Sequence, residues 1–276
     1  MVRGATMKPA AFDYVRAEHL DEVLGSLARE GGDARIIAGG QSLMPMLNMR
    51  LAKPKTLIDI MRLPELARIE RKDGNVTVGA GVRQATLLAW PELGDALPLV
   101  AMALPWTGHV QTRSRGTVCG SIAHADPSAE LPLVLCALGG EVHLRNAKRR
   151  RRVPAREFFA GMMATNRADD ELIEAVSFPS DRCGCAFREV ARRHGDFAIV
   201  ACAAVATKDG FRLAVGGVAD MPVTREFPRL ESSALGDALN TFAYELDARD
   251  DIHASARYRR DLVRLIGADL VREVLQ

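Results

Sequence analysis

Residues 113–132 read RSRGTVCGSIAHADPSAELP, and together with AGGQSL at residues 38–43 they decide the fold. Both segments carry glycines, which let the backbone adopt positive φ and approach a ligand closely. Consecutive N–H groups in such turns form a concave nest for anionic oxygens, and Ser42, Thr117 and Ser121 add hydroxyl donors. The pattern predicts a diphosphate group held between a first glycine loop (residues 38–43) and a second glycine loop (residues 117–121).

An ordinary tight turn is the alternative for each segment, because glycine is among the commonest turn residues. For the adjacent pair Gly39-Gly40 taken alone, the tight turn is the more frequent explanation. Neither segment contains the G-x-G-x-x-G sequence that opens a helix in dinucleotide-binding Rossmann folds. The sequence therefore does not favour a Rossmann fold.

The composition is that of an ordinary globular protein. With 276 residues and 48% hydrophobic content, two domains are favoured over one. A net charge of +2 indicates neither a nucleic acid nor an anionic membrane as partner. No apolar run approaches the roughly 20 residues of a membrane span, and no signal peptide is evident, so we expect a cytoplasmic protein. The five cysteines lack the paired spacing of metal sites, so no metal site is predicted.

Apolar periodicity predicts helices at residues 18–30, 84–103, 129–138 and 255–275, the last with Tyr258, Leu262, Leu265 and Ile266 on one face. Strands are predicted at residues 35–38 and 56–60, and Asp73-Gly74-Asn75 indicates a hairpin within residues 66–81. Further strands are predicted at residues 141–145, 152–153, 187–190, 197–207 and 211–218. Because hairpins dominate, an α+β fold is favoured over a doubly wound parallel sheet.

A basic run, Lys148 to Arg152, lies between two predicted strands. Such runs occur in nucleic-acid-binding patches, but the rest of the chain has no basic excess. A solvated hairpin tip is the preferred interpretation, and a docking surface for an acidic partner stays open.

Several motifs, taken together, resemble one known family. They are A-G-G-Q-S-L-x-P near residue 40, R-x-R-G-T-x-x-G-S-x-A-H-A-D-P-x-A-E-L-P at residues 113–132, FREVARRHGD at residues 187–196, Gly216-Gly217-Val218, and DIHASARYRRDLVRL at residues 251–265. In this order they are similar to the FAD subunit of the aerobic carbon monoxide dehydrogenase and xanthine dehydrogenase family. The resemblance covers nearly the whole chain.

The resemblance implies an α+β architecture. Its first part would be a vanillyl-alcohol-oxidase-type (PCMH-like) FAD-binding domain at residues 1–179, with subdomains at about residues 1–60 and 61–179. Its second part would be a C-terminal domain of the carbon monoxide dehydrogenase flavoprotein type at residues 180–276, an antiparallel sheet with helices. The polar stretch at residues 179–184 fits a boundary between them.

The same resemblance implies which residues bind FAD. The first glycine loop would contribute Ala38, Gly39, Gly40, Gln41, Ser42 and Leu43, and the second Thr117, Val118, Cys119, Gly120 and Ser121. Glu130 matches a carboxylate that meets the adenosine part of FAD, although a charge favoured by a helix N-terminus explains it equally well when taken alone. Leu172, Arg188 and Phe197 match positions near the flavin.

The sequence departs from the family at Cys119, which replaces the usual glycine of T-x-G-G. A side chain there must point away from the diphosphate or narrow its pocket, and a positive φ would add strain of about 1–3 kcal/mol. Nearby N–H groups could in principle lower the pKa of the thiol and make it reactive. A small packing residue is the preferred interpretation.

The implied function is electron transfer in a molybdenum hydroxylase, with a small subunit carrying two [2Fe-2S] clusters and a large molybdopterin subunit as partners, as a dimer of heterotrimers. No catalytic residue is predicted in this chain: His109 and His124 lack a surrounding nucleophile set and are interpreted as structural. One alternative is a self-sufficient FAD-dependent oxidase or dehydrogenase of a small organic substrate. Another is a scaffold that has lost FAD.

Overall fold

The computed structural model describes residues 8–180 and 183–276. Residues 1–7 and two positions of the expected boundary at 179–184 lie outside the described residues. The strands are β1 (Asp13–Arg16), β2 (Ala34–Ile37), β3 (Thr56–Asp59), β4 (Ile69–Lys72), β5 (Asn75–Gly79), β6 (Glu141–Arg145), β7 (Arg150–Pro154), β8 (Phe159–Gly161), β9 (Ala164–Thr165), β10 (Leu172–Pro179), β11 (Cys185–Val190), β12 (Val200–Ala206), β13 (Gly210–Gly216) and β14 (Val223–Pro228). The α-helices are α1 (Leu20–Glu30), α2 (Leu43–Asn48), α3 (Gln84–Leu88), α4 (Leu93–Ala96), α5 (Pro98–Ala103), α6 (Val110–Arg115), α7 (Val118–His124), α8 (Glu130–Leu138), α9 (Ala155–Phe158), α10 (Ser232–Glu245) and α11 (Ala256–Val274).

The first sheet is parallel, with β3 between β1 and β2. Parallel strands need a crossover connection, and α1 connects β1 to β2, which lie on either side of β3. Helix α1 is amphipathic and buries Val23, Leu24 and Leu27. After β2 the chain enters the first glycine loop, and α2 begins at Leu43. The loop therefore lies at the carboxyl end of a parallel strand at the edge of the sheet.

The second sheet is antiparallel, with the strand order β4-β5-β10-β6-β7. The predicted hairpin is confirmed, because β4 and β5 pair around a turn in which Asp73 has φ 51° and Gly74 has φ 72°. Two positive φ angles are what a tight hairpin turn of right-twisted strands requires. Strand β10 lies in the middle of the sheet and starts at Leu172, close to the glycine loops.

One continuous helix was expected at residues 84–103, and this prediction is wrong. The segment forms three short helices, α3, α4 and α5. Pro91 and Pro98 interrupt it, because proline lacks an N–H donor and clashes with the preceding helical turn. Pro98 instead occupies the start of α5, where a missing N–H costs nothing.

The basic run forms more than a hairpin tip. Lys148 and Arg149 lie in the turn, but the next three arginines belong to β7. Arg151 donates two hydrogen bonds of 2.7 Å to the carboxylate of Glu171, whose residue is 1% exposed. A buried carboxylate needs such a partner, so Arg151 is part of the folded core rather than of a free basic surface.

The C-terminal sheet is an antiparallel meander, β11-β12-β13-β14. It contains the three predicted strands and adds β14, which the sequence analysis missed. Helix α11 packs on one face of this sheet and α8 packs on the other. Helix α8 is apolar on nearly all sides and buried from Glu130 to Ala137, as expected for a helix enclosed on both sides. It joins the sheet to the N-terminal part of the chain.

The buried face of α11 agrees only in part with the predicted one. Ile266 is buried and Leu262 packs against the C-terminal hydrophobic core, as predicted, whereas Tyr258 and Leu265 are 46% and 66% exposed. Arg259, Val263 and Leu270 are buried as well. The buried residues follow helical spacing, but an arginine occupies the first position and hides the periodicity. Within residues 8–180 and 183–276, no helix is both long and apolar enough to cross a membrane.

Candidate cofactor-binding site

A cavity of about 1490 Å³ lies between the glycine loops and the C-terminal sheet. This exceeds the roughly 300–1,000 Å³ of pockets for drug-sized ligands, so an extended ligand fits. Its walls come from both loops, the start of α8, the start of β10, and loops that flank β12 and follow β13. The lining residues include Gly40, Ser121, Glu130, Leu172, Phe197 and Gly217.

The first glycine loop is pressed against the segment that leads into the second. A Cβ atom on Gly39 would lie 2.2 Å from the carbonyl oxygen of Arg115 and 2.6 Å from Cα of Gly116, so only glycine fits there. Gly40 has φ 71°. Within the described chain, the N–H groups of residues 39–43 donate to no other backbone group. They are available to an anionic ligand, as a nest requires.

The second glycine loop uses part of its hydrogen-bonding capacity internally. Thr117 caps α7, and its Oγ1 accepts the N–H of Gly120 at 3.0 Å. The N–H of Val118 donates to Val82 O at 3.1 Å, and that of Ser121 donates to Thr117 O at 3.2 Å. Among described atoms, the N–H groups of Thr117 and Cys119 have no such acceptor. The donors that this loop offers are these two N–H groups and the hydroxyl groups of Thr117 and Ser121.

Cys119 sits in the first turn of α7 and is 3% exposed. It is not among the residues with positive φ, so its side chain brings none of the strain that a left-handed position would impose. Its Sγ lies 3.5 Å from Val78 O as donor. Burial raises the pKa of this thiol to about 12. The thiol stays protonated at neutral pH, and Cys119 acts as a small packing residue.

Glu130 is the first residue of α8 and lines the cavity, although the residue is only 5% exposed. Burial raises the pKa of its carboxyl to about 7, with the nearby Asp126 carboxylate acting in the same direction. The Arg113 guanidinium opposes this rise. It is held in place by the carbonyl oxygens of Thr107 and Gly108, to which Nη1 donates at 3.1 and 2.6 Å. Near neutral pH a small change of environment therefore decides the charge of Glu130.

The structure brings most, but not all, of the predicted residues together. Leu172 and Phe197 line the cavity, and Phe197 is 75% exposed at its rim. Val118 is fully buried away from the cavity, with its N–H already bonded. Arg188 points to the opposite side of β11, where it pairs with Glu273 at 3.0 Å. Neither Val118 nor Arg188 is among the described lining residues.

Arg259 is a site residue that the sequence analysis missed. It is 5% exposed and lines the cavity. Its guanidinium donates to the carbonyl oxygens of Ile199 and Gly217 and to the Asp251 carboxylate, at 3.0, 2.5 and 2.6 Å. It thereby ties α11 to the two strand ends that form the cavity wall. The available signal was its place in DIHASARYRRDLVRL, one of the segments that carry the family resemblance.

The histidines of this region are not arranged for acid–base catalysis. Nε2 of His124 lies 3.9 Å from Oδ2 of Asp126, which is beyond hydrogen-bond distance. The ring of His109 packs under Gly195, where an added Cβ would lie 2.7 Å from Nδ1. In the described part of the chain, no group of three or more His, Cys, Asp or Glu side chains is placed to hold a metal ion.

Comparison with protein families gives two matches in the expected order. Residues 10–181 match the FAD binding domain in molybdopterin dehydrogenase, and residues 185–274 match the CO dehydrogenase flavoprotein C-terminal domain. Among relatives, the subunit alpha of the 6-hydroxypseudooxynicotine dehydrogenase complex of Paenarthrobacter nicotinovorans is 37% identical, covering 94% of this chain and 92% of the relative. The nicotine 6-hydroxylase medium subunit of the same organism is 36% identical, covering 98% of each.

Solved structures show the same architecture, confirming the predicted α+β fold. A chain of quinoline 2-oxidoreductase from Pseudomonas putida 86 superposes with a TM-score of 0.90 at 32% identity, covering 97% of this chain and 98% of that one. A chain of carbon monoxide dehydrogenase from Hydrogenophaga pseudoflava gives a TM-score of 0.90 at 29% identity with the same coverage. This chain therefore belongs to the family of FAD-binding medium subunits of molybdenum-containing dehydrogenases, and FAD is its cofactor.

Proposed function

We propose that this chain is the electron-transfer subunit of a heteromeric molybdenum hydroxylase. Electrons pass from molybdenum through the [2Fe-2S] clusters of a partner subunit to FAD on this chain, and from there to an external acceptor. The observation that carries the proposal is a cavity of about 1490 Å³ lined by both glycine loops, the first of which is pressed at Gly39 against Arg115 and Gly116, the residues just before the second.

The residues of the cavity fit FAD in three parts. The unpaired N–H groups of residues 39–43, with those of Thr117 and Cys119, suit the anionic diphosphate. The Glu130 carboxylate suits the ribose hydroxyl groups as an acceptor. Leu172 and Phe197 offer an apolar wall for the ring system. FAD supplies the redox chemistry, while the chain supplies position and electrostatics.

The partners follow from what the relatives are. Their names describe medium chains or subunits of complexes. This chain spans 92% of the 6-hydroxypseudooxynicotine dehydrogenase subunit and 98% of the nicotine 6-hydroxylase subunit. We therefore assign it a small iron–sulfur subunit and a large molybdopterin subunit as partners, assembled as a dimer of heterotrimers. Oxidation of the organic substrate belongs to the large subunit.

We also propose the domain division at residues 1–179 and 180–276, with subdomains at about 1–60 and 61–179. The parallel sheet lies within residues 13–59, and the five-stranded sheet within residues 69–179. A separate hydrophobic core is formed by buried residues from Ala186 to Val271. The two sheets support the two N-terminal subdomains, which share one hydrophobic core, and the separate core supports the C-terminal domain.

A tagged copy of the chain, purified from its native host, tests the function. We expect one FAD per chain, together with iron and molybdenum in co-purifying subunits. Reduction of the flavin by substrate should require those subunits. A yellow chain that purifies alone and turns over a small organic donor would instead support the self-sufficient oxidase, and a colourless chain after reconstitution with FAD would support the scaffold.

A further inference from the structure

Glu189 is a buried carboxyl group that the proposed function does not use. It lies on β11, is 8% exposed, and neither of its carboxylate oxygens has a hydrogen-bond partner among the described atoms. An ionised carboxylate in such a place is costly, because nothing replaces the water it has lost. Protonation removes that cost. The group therefore has a physical reason to be neutral.

The alternation of β11 directs Glu189 toward the N-terminal part of the chain. Cys185 and Phe187 pack against the first hydrophobic core, whereas Ala186 and Val190 belong to the second. Side chains two apart on a strand share a face, so Glu189 faces the first core. Helix α5, which packs against β11, contains no ionisable residue, and the partner of Glu189 on β12 is Ala201.

The charged group that acts on Glu189 is Glu130 at the start of α8. Burial, with the charge of Glu130 acting in the same direction, raises the pKa of Glu189 to about 8. Glu130 in turn faces Asp126, which raises its pKa, and Arg113, which lowers it. On the opposite face of β11, α11 contributes Glu273, which is engaged by Arg188. Glu130 and Glu189 thus form a pair of buried carboxyl groups. Among the described residues, the Arg113 guanidinium acts on Glu130, and no cation acts on Glu189.

We propose that Glu189 is a positioning residue held as a neutral carboxylic acid, which leaves Glu130 as the one buried anion of the pair, ready to accept a hydrogen bond from a hydroxyl group of the cavity's ligand. The proposal deepens the FAD site and rests on it for the identity of the ligand. Glu130 touches the cavity, whereas Glu189 acts on it through charge alone. At neutral pH the ligand binds to chains in which Glu130 is ionised and Glu189 is protonated. Binding to such a chain changes the protonation of neither carboxyl.

A bell-shaped dependence of FAD affinity on pH follows. Below the pKa of Glu130 its carboxyl is protonated and accepts poorly, so affinity falls toward acid. Above the pKa of Glu189 a second negative charge appears beside the site of an anionic ligand, so affinity falls toward alkali. Each limb reflects one proton, which corresponds to at most about a tenfold change per pH unit.

Infrared spectroscopy of the full chain without flavin tests the protonation state itself. The wild-type chain should show two carboxylic-acid components, one from Glu130 that is lost near pH 7 and one from Glu189 that is lost as the pH rises through about 8. Glu189→Gln should lack the component lost near pH 8 and keep that of Glu130, whereas Glu273→Gln, on the opposite face of β11, should keep both. A wild-type chain without the component lost near pH 8, or a Glu189→Gln chain that retains it, overturns the proposal. Neither result depends on FAD binding.

Titration of the flavin-free chain with FAD, followed by flavin fluorescence, tests the link to the ligand. Glu189→Gln should keep the acid limb and lose the alkaline limb, and Glu130→Gln should lose the acid limb. Circular dichroism of each variant establishes that it is folded. An alkaline limb that persists in folded Glu189→Gln contradicts the proposal. Failure of every variant, including wild type, to bind FAD would instead count against the proposed function, while the infrared result still decides the state of Glu189.

Discussion

Gly39 and Arg115 lie so close that a single carbon added to Gly39 would be 2.2 Å from the carbonyl oxygen of Arg115. Gly39 and Arg115 are distant in sequence, yet their contact fixes the first glycine loop against the segment that leads into the second. In the proposed function the two loops therefore act as one binding element rather than as two independent turns.

Gly39→Ala should separate the loops and lower the flavin content sharply. Forcing a methyl group into this contact should also lower the free energy of unfolding by about 1–3 kcal/mol. Absorbance of bound flavin per chain and urea unfolding measure the two effects. Gly94→Ala is the control, because an added Cβ there meets nothing within 4 Å. A Gly39→Ala chain with a full complement of flavin would show that the loops need not touch.

Gly40→Val should abolish FAD binding while leaving a folded chain. Gly40 has φ 71°, a conformation that costs a β-branched residue about 1–3 kcal/mol, and the new side chain would stand in the nest. Gly74→Val is a matched control, since Gly74 has φ 72° in a hairpin turn away from the cavity. Both variants should lose similar stability. If Gly74→Val loses as much flavin as Gly40→Val, strain and not the site explains the loss.

Arg151→Ala should destabilise the fold by about 1.5–3 kcal/mol, because it removes two hydrogen bonds to the buried Glu171 carboxylate, which keeps only the Ala168 N–H at 2.9 Å and the Arg149 guanidinium at 3.8 Å. Arg150→Ala should cost less than about 1 kcal/mol, since Arg150 is 66% exposed in its pair with Glu174. Urea unfolding of both variants measures the difference. Equal, small losses of stability in both variants would show that the basic run is a solvated surface.

The pair of Arg151 and Glu171 also makes the free energy of unfolding depend on pH, with a definite sign. Hydrogen bonding from Arg151 lowers the pKa of Glu171 below its usual value. The folded chain therefore holds this carboxylate ionised more readily than the unfolded chain does, and its contribution to stability is lost as the pH falls through the lowered pKa. The deficit of Arg151→Ala should accordingly shrink in acid.

Features that depend on local backbone geometry could be predicted from the sequence, whereas the face that a strand turns toward the rest of the protein could not. The Asp73-Gly74 turn and the two glycine loops depend on backbone angles that few residue types accept, so short motifs identified them. The expectation that Arg188 lies near the flavin depends on which face of β11 meets the N-terminal part of the chain. A shift of one residue reverses that face, and alternation within β11 cannot settle it because both of its faces are partly covered.

The partly misplaced face of α11 has a related cause. Arg259 is buried with both terminal nitrogens of its guanidinium bonded to carbonyl oxygens and Asp251, and no sequence pattern reveals partners that come from distant segments. An arginine within a helical pattern is normally assigned to solvent. The apolar residues beside it, Tyr258 and Leu265, then define a face that is in fact exposed.

Cysteine alkylation should distinguish the interior thiols from the others. Burial raises the pKa of Cys119, Cys136 and Cys202 to about 12, and only the thiolate reacts. In the native chain these three should stay unmodified by iodoacetamide, and all three should react in urea. Peptide mass spectrometry measures the modification. Rapid labelling of Cys119 in the folded chain would instead support the alternative that Cys119 is a reactive thiol.

Glu189→Gln should be more stable than wild type, and increasingly so as the pH rises. Burial lifts the pKa of Glu189 from 4.5 to about 8, so between these values the folded chain keeps a proton that the unfolded chain has released. Folded chains that bind more protons lose stability with rising pH. Each pKa unit is worth about 1.36 kcal/mol, so the advantage of the variant should reach a few kcal/mol near pH 8 and vanish below the unfolded pKa. Glu273→Gln should follow the wild-type curve, whereas a constant offset between Glu189→Gln and wild type at all pH values would mean that the carboxyl is not neutral in the folded chain.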